Sequence, residues 1–269
     1  MPVIHVDDIR DPRLALYRGV SDPALLARHN AFVVEGRLVV RRMVADSPFR
    51  PASVLVTEPA RQGLRDVLES LPDVPVYVAA QDVLDGVAGF NMHRGCVAVG
   101  VRPPAIDWGT IVDALPRATR VVLLDSVSNA DNIGGIFRSA AALGAGAVLL
   151  GPGCGDPLYR KAIRTSIGAT LVLPFARVEG WVQTMEGLRE RGFEGVALTP
   201  RADAEPIGDI AEGLARRPRI ALLAGAEGEG LGAEALASAG IRARIPIAPG
   251  VDSLNVTVAV AIALHRLAL

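Results

Sequence analysis

Cysteine, lysine and aromatic residues are scarce in this chain, and each shortage removes a class of protein. The two cysteines, Cys96 and Cys154, lie far apart in no ligand pattern. Neither a disulfide framework nor a zinc module is expected, and a reducing compartment is. Lys161 is the only lysine among 28 basic residues, against 29 acidic ones, for a net charge of −1. That balance excludes a nonspecific basic coat for nucleic acid but leaves room for a local patch. The arginine bias suits bidentate phosphate contacts, but genome composition is the better explanation of it. Aromatics make up 4% of the chain while half of it is apolar, so the core must be aliphatic. Mean hydropathy is +0.34, yet no uninterrupted apolar run nears the roughly 20 residues of a membrane-spanning helix. Met1 to Asp8 has no basic stretch leading into an apolar one, so no secretory signal is expected. Together these features predict a cytoplasmic protein with no membrane partner.

The familiar phosphate-binding glycine signatures are missing too. Gly151-Pro152-Gly153-Cys154-Gly155-Asp156 follows an apolar run but lacks G-x-G-x-x-G spacing and carries a proline in the turn. Gly228-Glu229-Gly230-Leu231-Gly232 puts a carboxylate where a pyrophosphate would sit, and no Walker A sequence occurs. An ordinary nucleotide-dependent enzyme such as a dehydrogenase therefore lacks its fingerprint.

Two halves are present. In the first, Leu25 to Met43 reads as a helix, Ser53–Val56 as a strand, Arg61 to Leu71 as a helix, and Val74–Val78 and Cys96–Val101 as strands. Pro103-Pro104 marks a hinge, and Ile106 to Leu115 a short linker helix. In the second half, apolar runs at Val121–Leu124, Ala147–Leu150, Leu171–Leu173, Gly195–Leu198, Ile220–Ala224 and Arg242–Ile247 alternate with helical segments. Such runs predict a parallel sheet covered on both faces, closed by a helix from Ser253 to Leu269. The expected division is 1–102, a linker at 103–120, and 121–269.

Three polar segments punctuate the second half. Leu124-Asp125-Ser126-Val127-Ser128-Asn129-Ala130-Asp131-Asn132-Ile133-Gly134-Gly135-Ile136-Phe137-Arg138 turns from a strand into a helix. Asn132 and Arg138 are six residues apart, about 600° of helical rotation, so they do not share a face. Asn132 reads as a helix cap and Arg138 as a solvated arginine unless other segments give them a task. Leu222-Leu223-Ala224-Gly225-Ala226-Glu227-Gly228-Glu229-Gly230-Leu231 carries one acid, Glu227, between glycines that allow close backbone approach. Ile245-Pro246-Ile247-Ala248-Pro249-Gly250-Val251-Asp252-Ser253-Leu254-Asn255-Val256 turns into the last helix, for which Ser253 is the expected N-cap.

In this order the three segments resemble the motifs of the SpoU (TrmH) family of RNA ribose methyltransferases, within the SPOUT superfamily. Tyr159 to Ala169 resembles that family's R-x-S-x-G-A stretch. Phe32-Val33-Val34-Glu35-Gly36 and Phe90-Asn91-Met92-His93-Arg94-Gly95 resemble its N-terminal substrate-binding domain. One departure is Asn129-Ala130, where the family usually has Asp-Pro; it alters a turn and no reactive group.

The resemblance implies an α/β fold: a C-terminal parallel-sheet SPOUT domain with a deep trefoil knot, plus a smaller N-terminal α/β substrate-binding domain. It implies methyl transfer from S-adenosylmethionine to a ribose 2′-hydroxyl of rRNA or tRNA by a homodimer, without a metal. Asn132, Arg138, Glu227, Ser253 and Asn255 become the expected catalytic set. Leu223, Ala224, Gly225, Ile245, Ile247 and Leu254 become the expected cofactor contacts, and Arg37, Arg41, His93 and Arg94 the expected RNA contacts, with Arg42 beside them. The alternatives are a noncatalytic RNA-binding protein on the same scaffold and a base-directed methyltransferase of the superfamily.

Overall fold

The computed structural model describes residues 2–18, 28–89, 91–92 and 94–268. Proximity along the backbone divides the chain into two compact units: Met1–Pro104 with Leu158–Val172, and Ala105–Pro157 with Leu173–Leu269.

The first unit is built on five strands, β1 (Val3–His5), β2 (Ala31–Glu35), β3 (Pro51–Val56), β4 (Val76–Val78) and β5 (Cys96–Val101), in the order β1-β4-β3-β5-β2. β1, β4 and β3 run parallel, while β5 is antiparallel to both β3 and β2. A cluster including Leu14, Tyr17, Val33, Leu55, Leu84 and Val97 fills one side of this sheet.

The helix expected from Leu25 to Met43 is different in the structure. Its residues 25–27 lie outside the described residues, and Ala31–Glu35 is a strand with four of its five residues buried. Ala-Phe-Val-Val suits a buried pleated surface better than a helix. Gly36, at φ +89°, then turns the chain into the helix Arg37–Ala45. The expected helix from Arg61 to Leu71 is two shorter ones, Glu58–Gly63 and Arg65–Leu68, broken where Leu64 leaves helical geometry.

Leu158–Val172 groups with the first unit, not with the expected span 121–269, because side chains tie it there. Arg160 Nε donates to Glu35 Oε2 at 2.7 Å, Arg164 lies 3.6 Å from Oε1 of the same carboxylate, and Arg42 Nη1 donates to the Ile167 carbonyl at 2.8 Å. The run Leu171–Leu173 is not a strand. Ala169–Leu171 forms a single 3-10 turn after Gly168, whose φ is +76°. A three-residue apolar run carries too little periodicity to tell a buried turn from a strand.

The second unit carries a seven-stranded sheet of β6 (Thr119–Asp125), β7 (Ala147–Leu150), β8 (Phe175–Arg177), β9 (Glu194–Leu198), β10 (Glu205–Pro206), β11 (Arg219–Gly225) and β12 (Ile241–Arg244). The order is β10-β12-β9-β11-β6-β7-β8, and all pairings are parallel. Every residue of β6 is buried, as expected for a strand covered on both faces.

From β6 the chain builds outward through β7 and β8, then returns on the other side through β9. β11 inserts between β9 and β6, so the order reverses at the β6–β11 pair. In open parallel sheets the crevice beyond the carboxyl ends at such a reversal receives ligands. Here those ends are Asp125 and Gly225, which are register partners.

Two helices of this unit pack closely. A Cβ at Gly135, in the helix Ala130–Ala142, would lie 2.7 Å from Thr257 Cγ2 in the closing helix Val256–Arg266. The buried Arg120 fastens the closing helix to the sheet, donating from Nε to the Leu267 carbonyl at 2.7 Å. Both cysteines are buried and free, and burial pushes the Cys96 thiol up to about 12. No helix among the described residues is long and apolar enough to cross a membrane.

Candidate active site

The site grows from three chain turns at the carboxyl ends of the second sheet. The first follows β6. Asn129, not Asn132, caps the helix Ala130–Ala142, its Oδ1 accepting from the Asp131 N–H at 2.8 Å. Asn132 sits one turn in, buried, which frees its amide for another task.

The second turn follows β11. Gly225 needs to be glycine because a Cβ there would run into the backbone of Gly230. Gly230 N donates to the Ala226 carbonyl at 3.0 Å, and Gly228 and Gly230 take φ of +88° and +71°. The glycines thus form a tight hairpin that holds Glu227 out at its tip.

The third turn leads into the closing helix. Its N-cap is Asn255, not Ser253: Asn255 Oδ1 accepts from the Thr257 N–H at 2.9 Å and the Val258 N–H at 3.4 Å. Its Nδ2 donates to Asn132 Oδ1 at 3.0 Å and also to Glu227 Oε1. Two donors face the oxygen and two acceptors face the nitrogen, so only one orientation of this amide satisfies the network. Thr257 Oγ1 adds a bond to the Asn132 carbonyl at 3.4 Å. One asparagine therefore starts a helix and joins all three turns.

Beside this junction lies a cleft of about 440 Å³, within the range of small-molecule sites. Ala224, Gly225, Ile245, Ile247 and Leu254 line it, together with Glu227 and Ser253. Leu223, expected here, does not: it is fully buried among Val121, Leu149 and Ala221 in the sheet's core. Strand alternation turns its side chain away from the cleft.

Sequence reasoning overlooked Thr199 and Pro200, which follow β9 and complete one wall, and Asp252, a second carboxylate in the lining. The carboxyl end of β9 was the available signal for the first pair. Asp125 was overlooked as well; it is 8% exposed and accepts from Trp181 Nε1 at 3.0 Å and the Gly232 N–H at 2.8 Å.

The structure does not bring Arg138 to this cleft. It is exposed, two turns beyond the cap, and among the described residues makes no hydrogen bond or ion pair. Among the expected RNA contacts of the first unit, Arg37 and Arg94 are exposed, with Arg94 lying over Gly36. Arg41 is bound to Asp66 and to the Gly63 carbonyl; the bond to Asp66 raises the Arg41 pKa and lowers that of Asp66. His93 lies outside the described residues. Among them, no group of three or more His, Cys, Asp or Glu side chains is placed to hold a metal ion.

Comparison with known proteins now bears on this geometry. The SpoU rRNA methylase family matches residues 119–265, which contain all three turns. The chain belongs to that family. Among SpoU relatives, an uncharacterized tRNA/rRNA methyltransferase of Mycobacterium tuberculosis is 39% identical, covering 99% of this chain and 92% of its own. A 23S rRNA (guanosine-2′-O-)-methyltransferase, RlmB, of Bordetella pertussis is 31% identical over 71% of this chain and 76% of its own. Two solved structures share the fold. The AdoMet-bound rRNA methyltransferase of Sinorhizobium meliloti has TM-score 0.82 at 22% identity, covering 98% and 97% of the two chains. The SpoU methyltransferase AviRb of Streptomyces viridochromogenes, in complex with AdoMet, has TM-score 0.81 at 23% identity, covering 96% and 97%.

Proposed function

We propose that this protein transfers a methyl group from S-adenosylmethionine to a ribose 2′-hydroxyl of RNA, with ribosomal RNA the favoured substrate. The observation that carries the reading is the Asn132–Asn255–Glu227 junction at the rim of the cleft. Three segments distant in sequence converge there, all inside the region that matches the family. The substrate class follows relatives named for 2′-O-methylation of 23S rRNA guanosine.

The cleft suits this cofactor. Ile245, Ile247 and Leu254 offer apolar walls for a purine, and Glu227 and Asp252 bring carboxylates to a cationic ligand. S-adenosylmethionine, when bound, supplies a methyl group already activated on a positively charged sulfur. As the 2′-oxygen takes the methyl, the S–CH3 bond breaks, S-adenosylhomocysteine leaves neutral, and the hydroxyl proton passes to water; the protein's part is alignment and electrostatics. The Asn255 amide fixes Glu227 at the cleft's edge, and Ser253 presents a hydroxyl in the same lining.

Arg138 is the remaining member of the expected set. A guanidinium keeps its proton in proteins, so its task in this reading is to clamp the target phosphate and stabilise the developing alkoxide, not to act as base. It would do so from a second copy of the chain. Support comes from the closing helix, whose residues 256–264 are apolar apart from Thr257 yet leave Val258 46% exposed. A helix apolar on every face belongs in an interior or an interface. It packs against the helix that carries Arg138, so the homodimer and the arginine's role go together.

The trefoil knot expected for the family belongs to this reading too, supported by the fold likeness and by the return of residues 245–255 to the ends of β9 and β11. So do RNA binding by the first unit, through Arg37, Arg94 and His93, and a cytoplasmic location, where the RNA is. The decisive experiment is incubation with ribosomal RNA and radiolabelled S-adenosylmethionine, followed by mapping of ribose methylation. Label on one or a few 2′-oxygens supports the reading. No label on ribosomal or transfer RNA favours a noncatalytic RNA-binding protein, and label on a base overturns the assignment to ribose.

A further inference from the structure

We propose that Asp125 is a positioning residue that closes the glycine hairpin over the cofactor cleft; the proposal rests on the function given above. Asp125 ends β6, and its backbone pairs in register with Gly225, the residue where the hairpin leaves β11. Its side chain reaches the other end of the same hairpin, where Oδ2 accepts from the Gly232 N–H at 2.8 Å. One residue thus holds both feet of the segment 226–231, which carries Glu227 and lines the cleft through Ala226, Gly228 and Gly230.

The other carboxylate oxygen is equally committed. Oδ1 accepts from Trp181 Nε1 at 3.0 Å, with Ser126 Oγ a distant third donor at 3.5 Å. Trp181 is itself fastened: its backbone N–H donates to Glu234 Oε1 at 2.9 Å, as does that of Val182 at 3.3 Å. Glu234 therefore caps the first turn of the helix Trp181–Glu190, where the orphan N–H groups favour an acid. It lies two residues beyond Gly232, so the bonds close a ring: Asp125 to Trp181, Trp181 to Glu234, and back through Gly232 to Asp125. The indole also packs on Gly151, where any Cβ would collide with it. Nothing in this ring touches the cleft directly except the hairpin that it holds.

A carboxylate is the side chain this geometry requires. Two N–H donors approach from different groups, and two acceptor oxygens meet them. An amide of the same shape offers one acceptor and turns an N–H against the other donor. Losing the Gly232 contact frees one foot of the hairpin, which among the described residues is otherwise tied by the Asp125–Gly225 pairing, the Ala226–Gly230 bridge and the Glu227–Asn255 bond. Glu227 then loses its fixed distance from Asn255.

The test compares full-length wild type, Asp125→Asn and Trp181→Phe for S-adenosylmethionine affinity by calorimetry, for kcat and KM, and for melting temperature. The proposal expects Asp125→Asn to raise the Kd for S-adenosylmethionine roughly tenfold and to lower kcat even at saturating cofactor. Trp181→Phe keeps the Asp125–Gly232 bond, so it should lower the melting temperature while leaving that Kd within about twofold. If Asp125→Asn does not fold, Gly232→Pro removes the same donor at a φ of −59° that proline adopts, and its ring carbons displace the Asp125 carboxylate from the hairpin; it should reproduce the affinity loss. Wild-type affinity and turnover in Asp125→Asn, or in Gly232→Pro where that variant stands in, would overturn the proposal. So would an equal affinity loss in Trp181→Phe, which would make the effect general destabilisation. Wild-type protein that binds no S-adenosylmethionine overturns the functional reading itself, a result separate from either of these.

Discussion

The polar side chains around the cleft of the second unit and those on the first unit are used differently. In the second, a few uncharged or singly charged groups are locked into one another: Asn255 spends both ends of its amide, and Asp125 both oxygens. In the first, two groups of charged side chains matter most here. Glu35, Arg160 and Arg164 form a half-buried cluster that holds Leu158–Val172 in place, while Arg37 and Arg94 stay exposed. The contrast fits the division of tasks proposed for the two surfaces. Methyl transfer needs atoms fixed to a fraction of an ångström, whereas RNA is gripped through phosphates by side chains that remain free to move.

Three substitutions test that contrast, and the largest effect is expected at Arg138. Arg138→Ala should cut turnover on the order of 10²–10³-fold, with S-adenosylmethionine affinity unchanged because the side chain does not line the cleft. Single-turnover methylation and calorimetry on one preparation check this, and unchanged turnover removes Arg138 from the chemistry.

Asn255→Ala comes next. It removes the cap, costing about 1 kcal/mol, and leaves Glu227 and Asn132 without their shared partner. Turnover should fall on the order of 10–100-fold through misplacement, read as kcat against melting temperature. A variant that loses stability but keeps kcat would reduce the junction to a helix cap.

The smallest effect belongs to the first unit. Glu35→Gln weakens the contacts to Arg160 and Arg164 and should cost about 1 kcal/mol, lowering the melting temperature by ~2–4 °C. Cofactor affinity should not change. If it does, the segment Leu158–Val172 communicates with the cleft, and the two units are less independent than their side-chain usage implies.

Much of this was legible in the sequence. Apolar runs of four or more residues, such as Ala147–Leu150, placed the second sheet closely, because a strand buried on both faces leaves an unbroken signature. The three turns were legible for a different reason: glycine, asparagine and proline mark positions where the backbone must do something unusual.

What failed, failed locally. Ser253 and Asn132 looked like caps because residue type alone cannot say which of several neighbouring polar side chains the helix start will select, and the structure uses Asn255 and Asn129. Ala31–Glu35 passed for helix because its apolar residues lead into a true amphipathic helix after only Glu35 and Gly36, too short a break to separate two elements by pattern. Asp125 was unreadable in its role, since its two partners, Trp181 and Gly232, lie 56 and 107 residues away.

The most direct test of the whole account is a crystal structure with S-adenosylhomocysteine bound. The account predicts the adenine between Ile245, Ile247 and Leu254, the sulfur directed toward Glu227, and the Asn132–Asn255–Glu227 bonds intact. A ligand bound elsewhere on the chain, or bound here with those bonds broken, would contradict it.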